Sequence, residues 1–238
     1  MINRKSVDGI SLIVLCFYVD PSGMDSDAVL LLQAESKGKE KNKGKTMSTT
    51  TIYRLTFDLG EFQQLGFDLP EPPLDLYDLS GDSKPDWTPQ PVYSPYPRLK
   101  RPDTWDLAGT AAFAMDEHTV DLLEPHITQA GELLPLNFMP NGEQLLLLNV
   151  LQDVDCLDSS RSVLDSLELV VEFVEHRLPG EGLFKVPELD TTQIFVLESS
   201  ERTSSFRHKV AHHDLAGVGF EAVWSDERGA IPSNLFRI

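Results

Sequence analysis

The chain has 238 residues, of which 41% are apolar and 24% are charged, a profile typical of one fairly large globular domain or two small ones. Acidic residues outnumber basic ones by 38 to 20, which gives a net charge of −18 and a pI near 4.6. A negative field of this size repels phosphate backbones and anionic headgroups, so we expect neither nucleic acid nor a membrane as a direct partner, and favour a basic protein instead.

The first 46 residues differ in composition from the rest of the chain. An apolar run over residues 10–19 follows two basic residues like a secretory signal, but it is too short to span a bilayer and no small-residue cleavage site follows it. A lysine-rich stretch over residues 37–45 lies just before Met47 and has the composition of a translated ribosome-binding region. We interpret residues 1–46 as a non-native or disordered extension and expect the folded domain to cover residues 47–238.

The domain begins with residues 51–57, whose alternating pattern predicts a strand. Residues 70–102 contain nine prolines, which favour an irregular, extended stretch lying over the core. We expect aromatic side chains to anchor this stretch, namely Tyr77, Trp87, Tyr93 and Tyr96.

Asp116 is placed to cap a short helix that Pro125 ends or bends. A second helix, carrying Phe206 and Val210, is predicted to begin at Ser199 or Ser200 and to be closed by Gly217. Further strands are predicted from apolar runs, at residues 144–151, 167–173, 193–197 and 219–224, although helical spacing also fits residues 164–174.

These elements mix without a regular alternation of strand and helix. The pattern therefore predicts a single α+β domain, with a mixed, mainly antiparallel sheet and a few short helices.

The sequence contains no glycine-rich phosphate loop, and its histidines and cysteines do not form a local catalytic motif. His212, His213 and Asp214 are similar to the histidine pairs of metal-dependent nucleases, but they fall at a predicted helix C-terminus, where histidine complements the helix dipole. Cys16 and Cys156 are too isolated for a disulfide framework or a metal clamp, which favours a reducing compartment. We predict a binding protein with no catalytic residues, no metal and no cofactor.

Two acidic clusters are candidate partner-binding sites. Asp153, Asp155 and Asp158 follow a predicted central strand, and they form either a solvated turn or an anionic patch for arginine and lysine. In the second cluster Asp103 and Asp106 flank Trp105, which either anchors the proline-rich stretch or lies in an interface.

Short motifs occur between residues 102 and 224 in a characteristic order, at residues 102–105, 116–124, 131–136, 146–150, 154–158, 182–186, 194–196 and 215–220. The ordered set resembles a large bacterial family of polymorphic-toxin immunity proteins, associated with a Myxococcus immunity protein and formerly a domain of unknown function. Most of the matched positions are fold positions, so the resemblance carries no toxin-contacting residues across.

The resemblance implies a cytoplasmic protein that neutralises a toxin by stoichiometric binding. A nuclease active inside cells fits the net charge of −18, because an acidic surface mimics nucleic acid. The alternatives are an adaptor or loading chaperone for a secreted effector and an enzyme that reverses toxin chemistry, while solubility alone also explains an acidic composition.

Overall fold

The computed structural model describes residues 2–7, 10–15, 49–68, 79, 81–108, 110, 112–164, 169–189, 193–200 and 204–232. It divides into two compact units, Met1–Thr46 and Met47–Ile238. In the first unit, β1 (Ile2–Val7) and β2 (Ile10–Leu15) pair as an antiparallel hairpin. Whether this unit belongs to the native protein stays a prediction.

The second unit contains most of the secondary structure. In chain order its elements are β3 (Thr50–Phe57), β4 (Gly66–Phe67), β5 (Gln90–Tyr93), β6 (Thr104–Asp106), β7 (Phe113–Met115), α1 (Glu117–Leu123), α2 (His126–Ala130), β8 (Gly131–Phe138), β9 (Glu143–Val150), β10 (Val163–Leu164), β11 (Leu169–Val170), a 3-10 helix (Glu175–Arg177), β12 (Gly182–Phe184), β13 (Phe195–Ser199), α3 (Phe206–His212), β14 (Val218–Ser225) and β15 (Gly229–Ala230). None of the helices in the described ranges is long and apolar enough to cross a membrane.

The described strands of the second unit form two main sheets and one separate strand pair. The five-stranded sheet has the order β12-β13-β3-β14-β15 and is antiparallel throughout. The six-stranded sheet has the order β4-β5-β8-β9-β7-β6, in which only the β5–β8 pair is parallel. Strands β10 and β11 form a two-stranded sheet of their own. The domain is therefore α+β and mainly antiparallel, as the sequence predicted.

Three apolar clusters bury both faces of the two main sheets. The first cluster joins both sheets to the three helices, and it contains Leu55 of β3, Leu148 of β9 and Phe206 of α3. Alternate residues of the same strands point the other way, so Ile52 of β3 lies in the second cluster and Leu147 of β9 in the third. Burial on both faces explains why residues 144–151 form a continuous apolar run rather than an alternating one.

Several predicted elements are confirmed, because their signals are local. β3, β9, β13 and β14 lie at or within a few residues of the predicted strands. Asp116 caps α1, since its Oδ1 accepts a hydrogen bond of 2.8 Å from the backbone nitrogen of Thr119. α1 ends at Leu123, and Pro125 separates it from α2.

The predicted ends of α3 are wrong. Its N-cap is Ser205, whose Oγ accepts from the backbone nitrogen of His208 at 3.2 Å. Ser199 instead ends β13, and the Ser200 hydroxyl accepts a hydrogen bond from the Thr49 backbone. α3 ends at His212, and Gly217 lies after it in the loop before β14.

Trp87 anchors the proline-rich stretch, as predicted. Trp87 packs against the third cluster, and its indole nitrogen donates to the carbonyl of Pro135 at 3.0 Å. The prediction is wrong for Tyr93 and Tyr96, which are 41% and 54% exposed. β5 runs through this stretch, and Val92 takes its buried position, so Tyr93 points away from the core. Tyr77 lies outside the described residues.

The predicted strand over residues 167–173 is present only in part. Residues 165–168 lie outside the described ranges, and β11 covers Leu169–Val170 alone. Val171 and Phe173 are buried in the second cluster beyond the end of this strand. An isolated bridge from Phe173 to Leu157 holds the segment in place.

Candidate partner-binding surface

A groove of about 450 Å³ opens beside the C-terminal end of β14. Its walls come from three parts of the chain: the turn before β10, the segment from residue 172 to the 3-10 helix, and the turn between β14 and β15. We call it the acidic groove, because its charged lining consists of four carboxylates and two guanidinium groups, those of Asp158, Glu172, Glu175, Asp226, Arg161 and Arg228.

Glu172 is the fixed centre of the acidic groove. Its Oε2 accepts a hydrogen bond of 3.0 Å from the indole nitrogen of Trp224, and its Oε1 lies 3.2 Å from Nη2 of Arg161. Gly229 leaves room for this carboxylate, since a Cβ there would lie 2.8 Å from Oε1. Only 13% of the Glu172 side chain is exposed, so the carboxylate is held in one position and is already paired with Arg161, and the surplus negative charge of the groove comes from the carboxylates around it.

Asp158 lies at the rim of the acidic groove and also stabilises its own turn. Its Oδ1 accepts hydrogen bonds from the backbone nitrogen of Ser160 at 3.1 Å and from the Ser160 hydroxyl at 2.6 Å. These bonds favour the ionised carboxylate and lower the pKa of Asp158. The solvated-turn alternative therefore agrees with this geometry, and the half-buried carboxylate of Asp158 also lines the groove.

Asp153 and Asp155 do not line the acidic groove. Asp155 is exposed and lies 3.4 Å from the guanidinium of Arg177. Asp153 forms a backbone bridge with Lys185, and its carboxylate lies so close to Gly81 that an added Cβ would stand 2.4 Å from Oδ2. The three aspartates thus have separate sets of contacts, and their role in binding stays a prediction.

The cluster around Trp105 is tied into the fold. The indole is 1% exposed in the third apolar cluster, with its ring centroid 5.4 Å from that of Phe138. Asp103 Oδ2 accepts a hydrogen bond of 2.7 Å from the backbone nitrogen of Ala216, which joins β6 to the loop before β14. These contacts agree with the anchoring alternative, and a partner-binding role for this cluster stays a prediction.

Asp106, which follows Trp105, has a strongly perturbed carboxyl group. Burial raises its pKa from 3.8 to about 6, against the opposing effect of the hydrogen bond from Gln64 Nε2 at 3.0 Å. Because the folded state holds the proton more tightly, the contribution of this one carboxyl group to stability is full below about pH 3.8 and is lost as the pH rises to about 6 and above.

Asp106→Asn removes this charge and keeps an acceptor for Gln64. We expect the variant to be more stable than wild type by roughly 1–3 kcal/mol at about pH 8, with little gain at about pH 4. Urea unfolding at both pH values measures the difference. Asp121→Asn on α1, which is exposed, is the control and should change nothing. An equal gain at both pH values would contradict the role of ionisation.

A second groove, of about 310 Å³, lies between β3, β13 and the start of α3. Its carboxylate and its guanidinium belong to Glu198 and Arg207, which are joined at 2.9 Å and neutralise each other. The acidic groove, with its surplus of carboxylates, is therefore the better candidate for charge-directed binding.

The histidine cluster lies where the sequence placed it, at the C-terminal end of α3. His212, His213 and Asp214 are exposed, and His213 is the C-cap residue. Across the residues that the structure describes, no group of three or more histidine, cysteine, aspartate or glutamate side chains is arranged to hold a metal ion.

Cys156 is fully buried in the second apolar cluster. Burial, with smaller effects from Glu188 and Asp155, raises the pKa of its thiol to about 12. The thiol is therefore protonated at neutral pH and is not an activated nucleophile. Cys16 lies outside the described residues.

The geometry thus defines an α+β protein with a recessed acidic surface at one end of its five-stranded sheet. No protein-family model and no curated protein matches the chain. The likeness to immunity proteins therefore rests on the ordered motifs of the sequence and stays a prediction.

Sequence reasoning missed most of the acidic groove. Glu172, Glu175 and Asp226 were not singled out, because no local motif joins residues more than fifty positions apart. The only available signal was the general surplus of carboxylates, which does not indicate where they converge.

Proposed function

We propose that this chain is a cytoplasmic immunity protein that binds and neutralises a basic toxin, a nuclease acting inside the cell, by stoichiometric contact. The observation that carries the proposal is the acidic groove, in which Glu172 is held rigidly and Asp158, Glu175 and Asp226 stand around it. Oriented carboxylates form charge-assisted hydrogen bonds with arginine and lysine, the residues by which nucleases hold phosphate backbones.

The total charge and the groove act at different stages of binding. Residues 1–46 contain seven basic and six acidic residues, so residues 47–238 contain 13 basic and 32 acidic ones. That surplus steers a basic partner toward the protein and raises the association rate. Exposed charges more than about 8 Å apart are largely screened at physiological salt, so carboxylates inside the groove contribute most to the bound state.

Stoichiometric inhibition tests the proposal. We expect the neighbouring gene to encode a secreted protein with a C-terminal toxic domain. We expect the purified protein to inhibit that domain in proportion to the amount added, with saturation at equimolar ratio. Nuclease activity measured at fixed toxin concentration gives the titration curve. Full protection far below equimolar ratio would identify an enzyme that reverses toxin chemistry, and binding that leaves the toxin active would identify an adaptor.

A charge-neutralising variant tests the acidic groove itself, through the rate of association with the toxic domain measured by surface plasmon resonance at low and high salt. Glu175→Gln with Asp226→Asn removes two exposed charges of the groove and keeps an acceptor for the backbone nitrogen of Thr50, which Asp226 binds. We expect a slower association and a weaker dependence on salt. Glu117→Gln, an exposed change on α1, is the control and should leave both unchanged.

A further inference from the structure

The β10–β11 hairpin exposes apolar side chains beside the acidic groove. Within the part of the chain that the structure describes, β10 pairs with β11 alone. Val163 and Leu164 are each 50% exposed. Because successive residues of a strand point to opposite faces, each face of β10 carries one half-exposed apolar side chain. An isolated two-stranded hairpin is only marginally stable, so this element depends on what holds its base.

The base of the hairpin is fixed to the wall of the acidic groove. The Ser162 hydroxyl donates to the carbonyl of Asp158 at 2.8 Å and accepts from the backbone nitrogen of Glu172 at 2.9 Å. Arg161 pairs with Glu172 in the same place. Val163 and Leu164 therefore come directly after groove residues in the chain, and the hydrogen bonds of Ser162 hold the start of β10 beside the groove.

We propose that the β10–β11 hairpin and the acidic groove form one docking surface for a basic protein segment with an apolar side chain next to its lysine or arginine residues. Charge complementarity selects this occupant, since four carboxylates against two guanidinium groups attract a cationic segment and repel an acidic one. The inference rests on the proposed function, because it names the chemistry of the toxin segment that enters the groove.

The two parts of this surface contribute to different rates. Carboxylates attract the cationic segment before contact, so they act on association. The apolar contact exists only after Val163 and Leu164 lose their water, so it acts on dissociation. Other large apolar side chains are exposed elsewhere in the described residues, including Leu59 at 44%, and Leu59 does not line the acidic groove.

The test is a double substitution, Val163→Ser with Leu164→Ser, in the full chain. With the toxic domain encoded beside the gene as the probe, we expect roughly tenfold faster dissociation and an unchanged association rate, because about half of each side chain remains to be buried. Leu59→Ser is the matched control and should leave both rates unchanged. Surface plasmon resonance measures the two rates separately.

The outcomes separate this inference from the proposed function. If the unmodified protein does not bind the toxic domain, both are wrong. If it binds and the double variant dissociates at the wild-type rate, the hairpin is not part of the interface and only this inference fails. If the double variant does not fold, hydrogen exchange on the unmodified protein decides. Residues 163–164 should then gain protection when the toxic domain is added, and unchanged exchange there overturns the inference.

Discussion

Replacing Trp105 by alanine is expected to destabilise the domain by about 3–5 kcal/mol. The indole is 1% exposed, so its removal leaves a large cavity rather than a relaxed surface. The ring also contacts Phe138 and lies under the guanidinium of Arg101, whose Cζ stands 5.4 Å from the ring. A loss of this size is a large part of the stability of a typical domain, about 5–15 kcal/mol.

Tyr96→Ala is the matched control, because it also deletes an aromatic ring but at a position that is 54% exposed. We expect it to change stability by less than about 0.5–1 kcal/mol. Urea unfolding of the two variants gives the comparison. A Trp105 variant as stable as the Tyr96 variant would show that the indole does not anchor the fold, and the interface alternative for Trp105 would gain support.

Gly217→Ala is expected to cost more than about 3 kcal/mol or to abolish folding, because two penalties act together. The residue has a φ of +106°, which side chains with a Cβ rarely adopt. An added Cβ would also lie 2.1 Å from the carbonyl oxygen of Thr104 and 2.7 Å from Cβ of Pro102. Both neighbours belong to the segment around β6, which is held to this loop by the Asp103 carboxylate.

Gly142→Ala separates the two penalties. Gly142 also has a positive φ, +69°, but an added Cβ there meets nothing within 4 Å. We expect a cost of about 1 kcal/mol from backbone conformation alone. Thermal or urea unfolding of both variants measures the two losses of stability. The difference between them is the cost of the steric clash at Gly217. Equal costs would mean that the loop before β14 moves away from β6 without loss.

Local patterns were sufficient for the elements whose signals lie within a few residues. Asp116 and Pro125 mark the two ends of α1 because a cap and a helix breaker act on adjacent backbone groups. The start of α3 was misplaced because several serines precede the helix, and tertiary contacts assign their hydroxyls. Ser200 bonds to Thr49, just before β3, and Ser205 is the cap.

The aromatic residues of the proline-rich stretch are likewise placed by tertiary contacts and not by local sequence. Trp87 is anchored and Tyr93 is exposed, although both stand among prolines in the sequence. The difference comes from the parallel pairing of β5 with β8, which places Val92 opposite Phe138 and turns Tyr93 away. A strand register between segments more than forty residues apart has no signature in local composition.

The sequence by itself determined the α+β class, most long strands, the cap of α1 and the surplus of acidic residues, because each depends on composition or on short-range periodicity. Only the tertiary structure decided where the charge converges. Asp158 and Glu172 meet through the Leu157–Phe173 bridge, and Asp226 reaches them through the end of β14, where Trp224 bonds to Glu172. Contacts of this kind form when distant segments pack around a shared core, so their free energy depends on the whole fold and not on any stretch of sequence.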